Sequence, residues 1–281
     1  MKTKDLYNSI SSELESLYTN QEAKNISFLL LESIFGINQT DIIVNKTLNI
    51  SEEKEYELKR CLDRLKKHEP IQYVLEKADF YGRVFKVDTN VLIPRSETEE
   101  LVDLVIKENK IPNLKILDIG TGSGCIPITL KLELSDPTVE AIDINKSALS
   151  VAQQNATDLK AQVSFHQLNI LNQELRPIHY DIIISNPPYV TQSEKPLMRA
   201  NVLNYEPHLA LFVEDNDPLI FYNTITKHSK NALQKGGQLY FEINENLGVQ
   251  VAKIMEETGF KNVRVIQDLN GKDRIVTGVL S

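Results

Sequence analysis

Cysteine is scarce in this chain, with two residues in 281. Cys61 and Cys125 lie far apart and match no zinc spacing. That excludes a disulfide scaffold and points to reduced thiols in a cytoplasmic protein. His68, His166, His179, His208 and His228 show no close-paired spacing, so no metal is expected. Long apolar runs are also missing. The opening residues, Met1-Lys-Thr-Lys-Asp5, lead into a polar stretch with neither a signal peptide nor a membrane span behind it. Positive charge is in deficit: 31 Lys and Arg stand against 39 Asp and Glu, for a net charge of −8. Duplex-binding proteins usually carry a basic footprint, so nucleic acid is disfavoured as the direct substrate and a basic partner is favoured. No internal repeat or low-complexity segment appears.

What is present is ordinary for a globular protein: 41% hydrophobic and 25% charged residues, in a length that suits one large and one small domain. Residues 1–75 read as a module of short helices. One is Glu22–Phe35, with Asn20 as its N-cap and Gly36 in the left-handed position at its end; another is Ser51–Lys67, ended by Pro70. Over residues 71–93 the period changes. Phe80, Tyr81, Val84, Phe85, Val87 and Val91–Ile93 are β-rich, with turns at Gly82 and Asp88-Thr-Asn90, so residues 76–94 are expected to form a linking β-hairpin. Ser96-Glu-Thr-Glu99 matches a capping box ahead of Leu101, Val102, Leu104 and Val105.

From residue 115 strands and helices alternate. Strands are expected at Lys115–Ile119, Thr138–Ile142, Gln162–His166, Tyr180–Ser185, Gln238–Ile243, Val263–Gln267 and Arg274–Val279. Helices are expected at Cys125–Leu134, Lys146–Leu159, Pro218–Leu233 and Leu247–Glu257. This predicts an α/β, Rossmann-like domain over residues 95–281, with a seven-stranded, mainly parallel sheet covered on both faces. Asn270-Gly271 between the last two strands predicts an antiparallel pair.

Two motifs carry chemistry. Ile116-Leu-Asp-Ile-Gly120-Thr121-Gly122-Ser123-Gly124 is an apolar strand entering a glycine-rich turn and then a helix, where backbone can approach a ligand closely. The spacing fails the dinucleotide fingerprint, because Cys125 stands where its third glycine belongs. The form G-x-G-x-G after Asp118 is typical of S-adenosylmethionine sites. Asp143, at the end of the next strand, is placed to accept hydrogen bonds from two ribose hydroxyls or to cap the helix near Lys146. Asn169 and Ile170 follow the third strand, where adenine would lie. The second motif, Asn186-Pro187-Pro188-Tyr189, ends the strand Tyr180–Ser185. Both prolines lack N–H groups, and residues before proline favour extended geometry, so the local carbonyls are free to face a ligand. The Asn186 side-chain carbonyl and the Pro187 backbone carbonyl would hold the two donors of a planar NH₂ group, and Tyr189 would supply a flat wall. Catalysis would then be positioning of a weak nitrogen nucleophile against a sulfonium methyl.

With these motifs in view, the chain resembles the peptide chain release factor glutamine methyltransferases of the HemK type over nearly its whole length. The likeness runs through Pro70-Ile-Gln-Tyr73, Phe80-Tyr-Gly82, Leu92-Ile-Pro-Arg-Ser-Glu-Thr-Glu99, Asp118–Cys125, Ala141-Ile-Asp143, Ser185–Tyr189, Tyr205-Glu-Pro207, Glu242-Ile243 and Asp268–Arg274. The resemblance implies a helical domain that docks a release factor and a catalytic domain that methylates the glutamine of its Gly-Gly-Gln loop. It places S-adenosylmethionine on Gly120–Gly124, Asp143 and Asn186, and the glutamine on Asn186–Tyr189. A monomer is expected. Arg95, Glu97 and Glu99 are either pocket residues or a junction ion network, and Glu206 would help close the pocket. Three positions depart from the family pattern. Ser96 replaces a proline, Asn169 an acidic residue, and Leu247-Gly248 a Gln-Gly pair. Two rival readings are a nucleic-acid amino-methyltransferase, which shares Asn-Pro-Pro-Tyr, and a non-catalytic cofactor-binding adaptor.

Overall fold

The computed structural model describes residues 1–281. The chain divides into two units. One comprises residues 1–76 with residues 200–205, the other residues 77–199 with residues 206–281.

The smaller unit opens with α1 (Thr3–Leu14), α2 (Asn20–Phe35), α3 (Gln39–Ile43), α4 (Glu52–Leu65) and α5 (Ile71–Leu75). Leu6, Ile10, Leu14, Leu30, Leu31, Leu62 and Leu65 form its core. Thr19, not Asn20, caps α2 by accepting from the Glu22 N–H, while Gly36 ends the helix at φ 67°. Ser51 caps α4, whose first turn carries Glu52, Glu53 and Glu55 where the helix dipole favours anions. Pro70 does not end α4, which stops at Leu65, but stands at the N-cap of α5, where Tyr73 and Val74 are helical. Arg64 makes this turn possible. Its guanidinium binds Glu69 and donates to the Tyr73 and Val74 carbonyls at 3.0 and 3.1 Å.

The larger unit begins with a hairpin of β1 (Lys77–Phe80) and β2 (Arg83–Lys86). Tyr81 and Gly82 both take positive φ in its two-residue turn, the twist that hairpins favour. The hairpin is shorter than expected, and residues 87–95 are irregular. Next come α6 (Ser96–Glu108), β3 (Lys115–Ile119), α7 (Cys125–Glu133), β4 (Thr138–Asp143), α8 (Lys146–Asp158), β5 (Val163–Gln167) and β6 (Tyr180–Ser185). After β6 the chain runs through β7 (Val190–Thr191), a 3₁₀ turn (Gln192–Leu197), α9 (Ala200–Tyr205), α10 (His208–Leu211) and β8 (Phe212–Val213). It closes with α11 (Ile220–Ala232), β9 (Leu233–Glu242), α12 (Gly248–Thr258), β10 (Phe260–Gln267) and β11 (Asp273–Leu280).

Seven strands form one sheet in the order β10-β11-β9-β6-β3-β4-β5. All neighbours from β9 to β5 are parallel, and β11 runs antiparallel to both β9 and β10. The reversed strand thus slots inside the sheet, not at its edge. Alternate residues feed opposite faces. Ile116, Ile182, Ile184 and Tyr240 meet α6 and α7 side chains such as Leu101, Val102 and Ile126. Leu117, Ile119, Ile183 and Phe241 meet Tyr222, Ile225 and Val251 of α11 and α12. Strand order reverses between β3 and β6, and in such sheets the crevice beyond that point binds ligands.

The expected capping box at residues 96–99 does not form. Arg95 occupies the cap position without a side-chain cap bond. Glu99 is drawn away to the hairpin, where it accepts from the Tyr81 N–H at 2.7 Å, and Ser96 donates to Glu97 instead.

Candidate active site

A cavity of about 380 Å³ lies at the carboxyl ends of β3, β4 and β6. It is lined by Gly120, Thr121, Gly122 and Ser123, by Asp143, by Asn169 and Ile170, and by Asn186, Pro187 and Pro188. The two motifs, Asp143 and the Asn169-Ile170 turn therefore meet around one space. Arg95 lines it too. Gly124, Tyr189 and Glu206 do not.

The glycines divide by what surrounds them. Gly122 has φ 53° and open space where a Cβ would sit, so it presents bare backbone to the cavity. At Gly124, with φ 80°, a Cβ would come within 3.0 Å of the Ala152 Cβ and the Ile128 Cδ1, so this glycine permits helix packing. Asp143 braces the loop. Its Oδ2 accepts from the Gly122 N–H at 2.9 Å and its Oδ1 from the Asn145 N–H at 2.8 Å. Burial raises the Asp143 carboxyl above the ordinary range, and the Asn145 and Gly122 N–H groups oppose that rise. Asn145, not Asp143, caps α8 by accepting from Ser147. Asn155 of α8 adds a second brace, accepting from the Lys86 N–H at 2.7 Å while donating to the Ser123 carbonyl at 2.9 Å.

At the other motif, residues 186–189 belong to no helix or strand. The Asn186 Nδ2 donates to the Thr98 hydroxyl at 3.2 Å. Tyr189 is partly buried, and its hydroxyl donates to Glu242 Oε1 at 3.3 Å. Its ring joins Asn186, Pro187 and Arg95 around a small adjoining recess rather than the main cavity. Glu206 is buried beneath this wall. It accepts from Arg95 at 2.6 Å and from the Ile93 N–H at 3.2 Å, which holds the irregular segment 91–95 against the cavity. Glu97 and Glu99 stay outside the cavity lining.

Residues 98–205 match the methyltransferase small domain family, and residues 5–75 match the PrmC N-terminal domain. A release factor glutamine methyltransferase from Bacteroides thetaiotaomicron is 46% identical over 269 residues, covering 95% of this chain and 96% of that one. The chain belongs to the release factor glutamine methyltransferase family. Another member of the family, from Flavobacterium psychrophilum, is 44% identical over 267 residues, covering 94% of each chain. Among solved structures, a methyltransferase from Pyrococcus furiosus superposes with a TM-score of 0.52 at 14% identity, over 71% of this chain and 90% of that one. That likeness is one of fold.

Two carboxylates central to this family member's site went unassigned in sequence. Asp118 is fully buried beneath the glycine loop, and neither oxygen has a hydrogen-bond partner. Burial pushes its carboxyl up to about 7; the Thr121 hydroxyl is near enough to pull back without hydrogen-bond geometry, and Asp143 pushes further. Glu242, at the end of β9, is 1% exposed and receives both Thr98 and Tyr189. Burial raises it, against Thr98 and Arg274. The sequence signal for Asp118 was its place directly ahead of the glycines; Glu242 was flagged only as part of the Glu242-Ile243 segment of the family likeness, with no role attached. S-adenosylmethionine fits these residues. An unsatisfied buried carboxylate suits a cationic ligand, Gly122 leaves room for close approach, and Asp143 keeps acceptor capacity for hydroxyls.

Proposed function

We propose that the protein transfers the methyl group of S-adenosylmethionine to the side-chain amide nitrogen of the glutamine in the Gly-Gly-Gln motif of peptide chain release factors. One observation carries this reading: the Asn186 amide is tied through its nitrogen to Thr98, and Asn186 and Pro187 both line the cavity, which leaves the amide oxygen as the end available to a substrate. Two fixed acceptors match the two donors of a primary amide. An amide nitrogen is a poor nucleophile, so its alignment contributes more than a base would. S-adenosylmethionine supplies an electrophilic methyl on a sulfonium. Gly120–Ser123, Asp143, Asn169 and Ile170 would hold it, with Asp118 offering compensation for its positive charge. Asn186 and Pro187 would accept from the glutamine NH₂ and stabilise the positive charge that grows on nitrogen. Pro188 stiffens the turn, and Tyr189 and Arg95 form the recess wall beyond it.

The helical unit, residues 1–75, is the proposed docking surface for the release factor, linked through residues 76–94 to the catalytic residues 95–281. A monomer is proposed. Buried, unpaired Cys61 and Cys125 support a reducing, cytoplasmic setting. No helix is long and apolar enough to cross a membrane. The test is incubation with methyl-labelled S-adenosylmethionine and a release factor, in parallel with a release factor whose motif glutamine is changed to glutamate and with nucleic acid. Label should enter the first alone. Label in the glutamate variant or in nucleic acid would reject the assignment.

A further inference from the structure

The Asn186 amide has two ends of similar shape and opposite polarity, and only one serves the reaction. An oxygen facing the cavity accepts from a substrate NH₂; a nitrogen facing it would set donor against donor. What selects the orientation lies behind Asn186. Glu242 is carried on β9, which pairs with β6 so that Phe241 sits opposite Ser185, bringing Glu242 level with Asn186. Thr98 reaches the same point from the first turn of α6. The Thr98 hydroxyl donates to Glu242 Oε2 at 2.6 Å, a length typical of a hydroxyl on an ionised carboxylate. Tyr189 donates to Oε1, and the Arg274 charge stands nearby. A carboxylate only accepts, and a threonine hydroxyl has one proton. With that proton given to Glu242, Thr98 has only lone pairs to show Asn186. The Asn186 nitrogen must therefore face Thr98, at 3.2 Å.

We propose that Thr98 and Glu242 are positioning residues that set the polarity of the Asn186 amide, Glu242 acting through the Thr98 hydroxyl as a proton relay of fixed direction. The same carboxylate anchors Tyr189, so one buried charge fixes both ends of the Asn-Pro-Pro-Tyr turn. The arrangement also explains why asparagine, not aspartate, stands at position 186. Asn186→Asp would set a carboxylate oxygen against Thr98 lone pairs and close to the Glu242 charge. The proposal rests on the reading that Asn186 accepts from a substrate amide.

The experiment is single-turnover methylation of a release factor at saturating S-adenosylmethionine, with cofactor affinity and melting temperature measured alongside. Wild-type labelling of the release factor is the control for the functional reading; its failure would strike that reading, whereas the variants strike only this proposal. Thr98→Val keeps the shape and removes the hydroxyl. It should slow the chemical step by about 10²-fold, the scale of a misplaced catalytic group, and leave cofactor affinity unchanged, while Thr98→Ser should restore most of the rate. A wild-type rate in folded Thr98→Val, or a Thr98→Ser variant as slow as Val, overturns the relay. A second arm does not depend on the folding of Thr98→Val. Asn186→Asp should be nearly inactive, and adding Glu242→Gln should recover activity, because the glutamine NH₂ can donate to Thr98 and release the Thr98 proton to Asp. A double variant no faster than Asn186→Asp refutes the proposal.

Discussion

Asp118 illustrates how one residue can be costly to the fold and useful to the site. A carboxyl group raised to about 7 in the folded protein has an unfolded value near 3.9. Between these values the folded state holds a proton that the unfolded state has lost. Stability is therefore full below about pH 4 and declines as pH rises through about 7. Asp118→Asn removes the titration while nearly keeping the shape. The melting temperature of the ligand-free variant, relative to wild type, should climb between pH 5 and pH 8, measured by scanning fluorimetry at each pH. A difference that stays flat across that range would mean Asp118 does not titrate there. The same substitution should weaken S-adenosylmethionine binding, since a neutral amide cannot compensate a cation. The glycines give a second contrast. Gly124→Ala forces a Cβ to within 3.0 Å of Ala152 and Ile128, so it should destabilise by about 1–3 kcal/mol. Gly122→Ala meets no protein atom, so beyond the backbone strain that an alanine at φ 53° shares with one at Gly124, it should mainly reduce ligand affinity. Urea titration and calorimetry on the two variants would separate them; equal losses in both measurements would contradict the division.

At the level of elements, the irregular stretch 87–95 forms one wall of the cavity without any ladder of its own. It is held by Glu206, whose side chain is 1% exposed. Glu206→Ala strips the partner from Arg95 and the acceptor from Ile93. Loss of stability should be about 2 kcal/mol, tempered by the partial exposure of Arg95, and Glu206→Gln should lose less because its carbonyl can still accept. An alanine variant within ~0.5 kcal/mol of wild type, the range of an ordinary surface change, would show that the wall stands without it. This wall also marks where sequence reading loses grip. The central sheet strands were legible as apolar runs and the outer ones, such as β5 and β10, as alternating ones, and the two motifs named the strand ends that meet. Pro70 reads as a helix stop, yet it opens a further helical turn whose Tyr73 and Val74 carbonyls Arg64 collects. Glu99 has the spacing of a capping residue but takes a hairpin N–H from 18 positions earlier. Residues 190–213 hold only elements of two to six residues, too short to show a period. Glu242 stood out only within the Glu242-Ile243 segment of the family likeness; its place behind Asn186 depends on β9 lying beside β6, which no local pattern encodes.

For the whole molecule, every residue lining the cavity lies downstream of residue 89, and the proposed docking surface lies upstream of residue 77. A chain that begins at Lys77 should bind S-adenosylmethionine with affinity close to wild type and methylate a release factor far more slowly at subsaturating concentrations. Equal rates for the two proteins would remove the docking role from the helical unit. Such a chain would also carry α9 without its own unit, where Tyr205 donates to the Lys67 carbonyl at 2.7 Å. That bond bears on how the protein is made. Residues 1–76 leave the ribosome before the rest of their unit, which is not complete until residue 205 has followed. At roughly 5–20 residues per second, the helices wait on the order of ten seconds for their last segment. During translation the smaller unit must persist with that face uncovered, so mutations that weaken its core should reduce the yield of protein before they alter the finished enzyme.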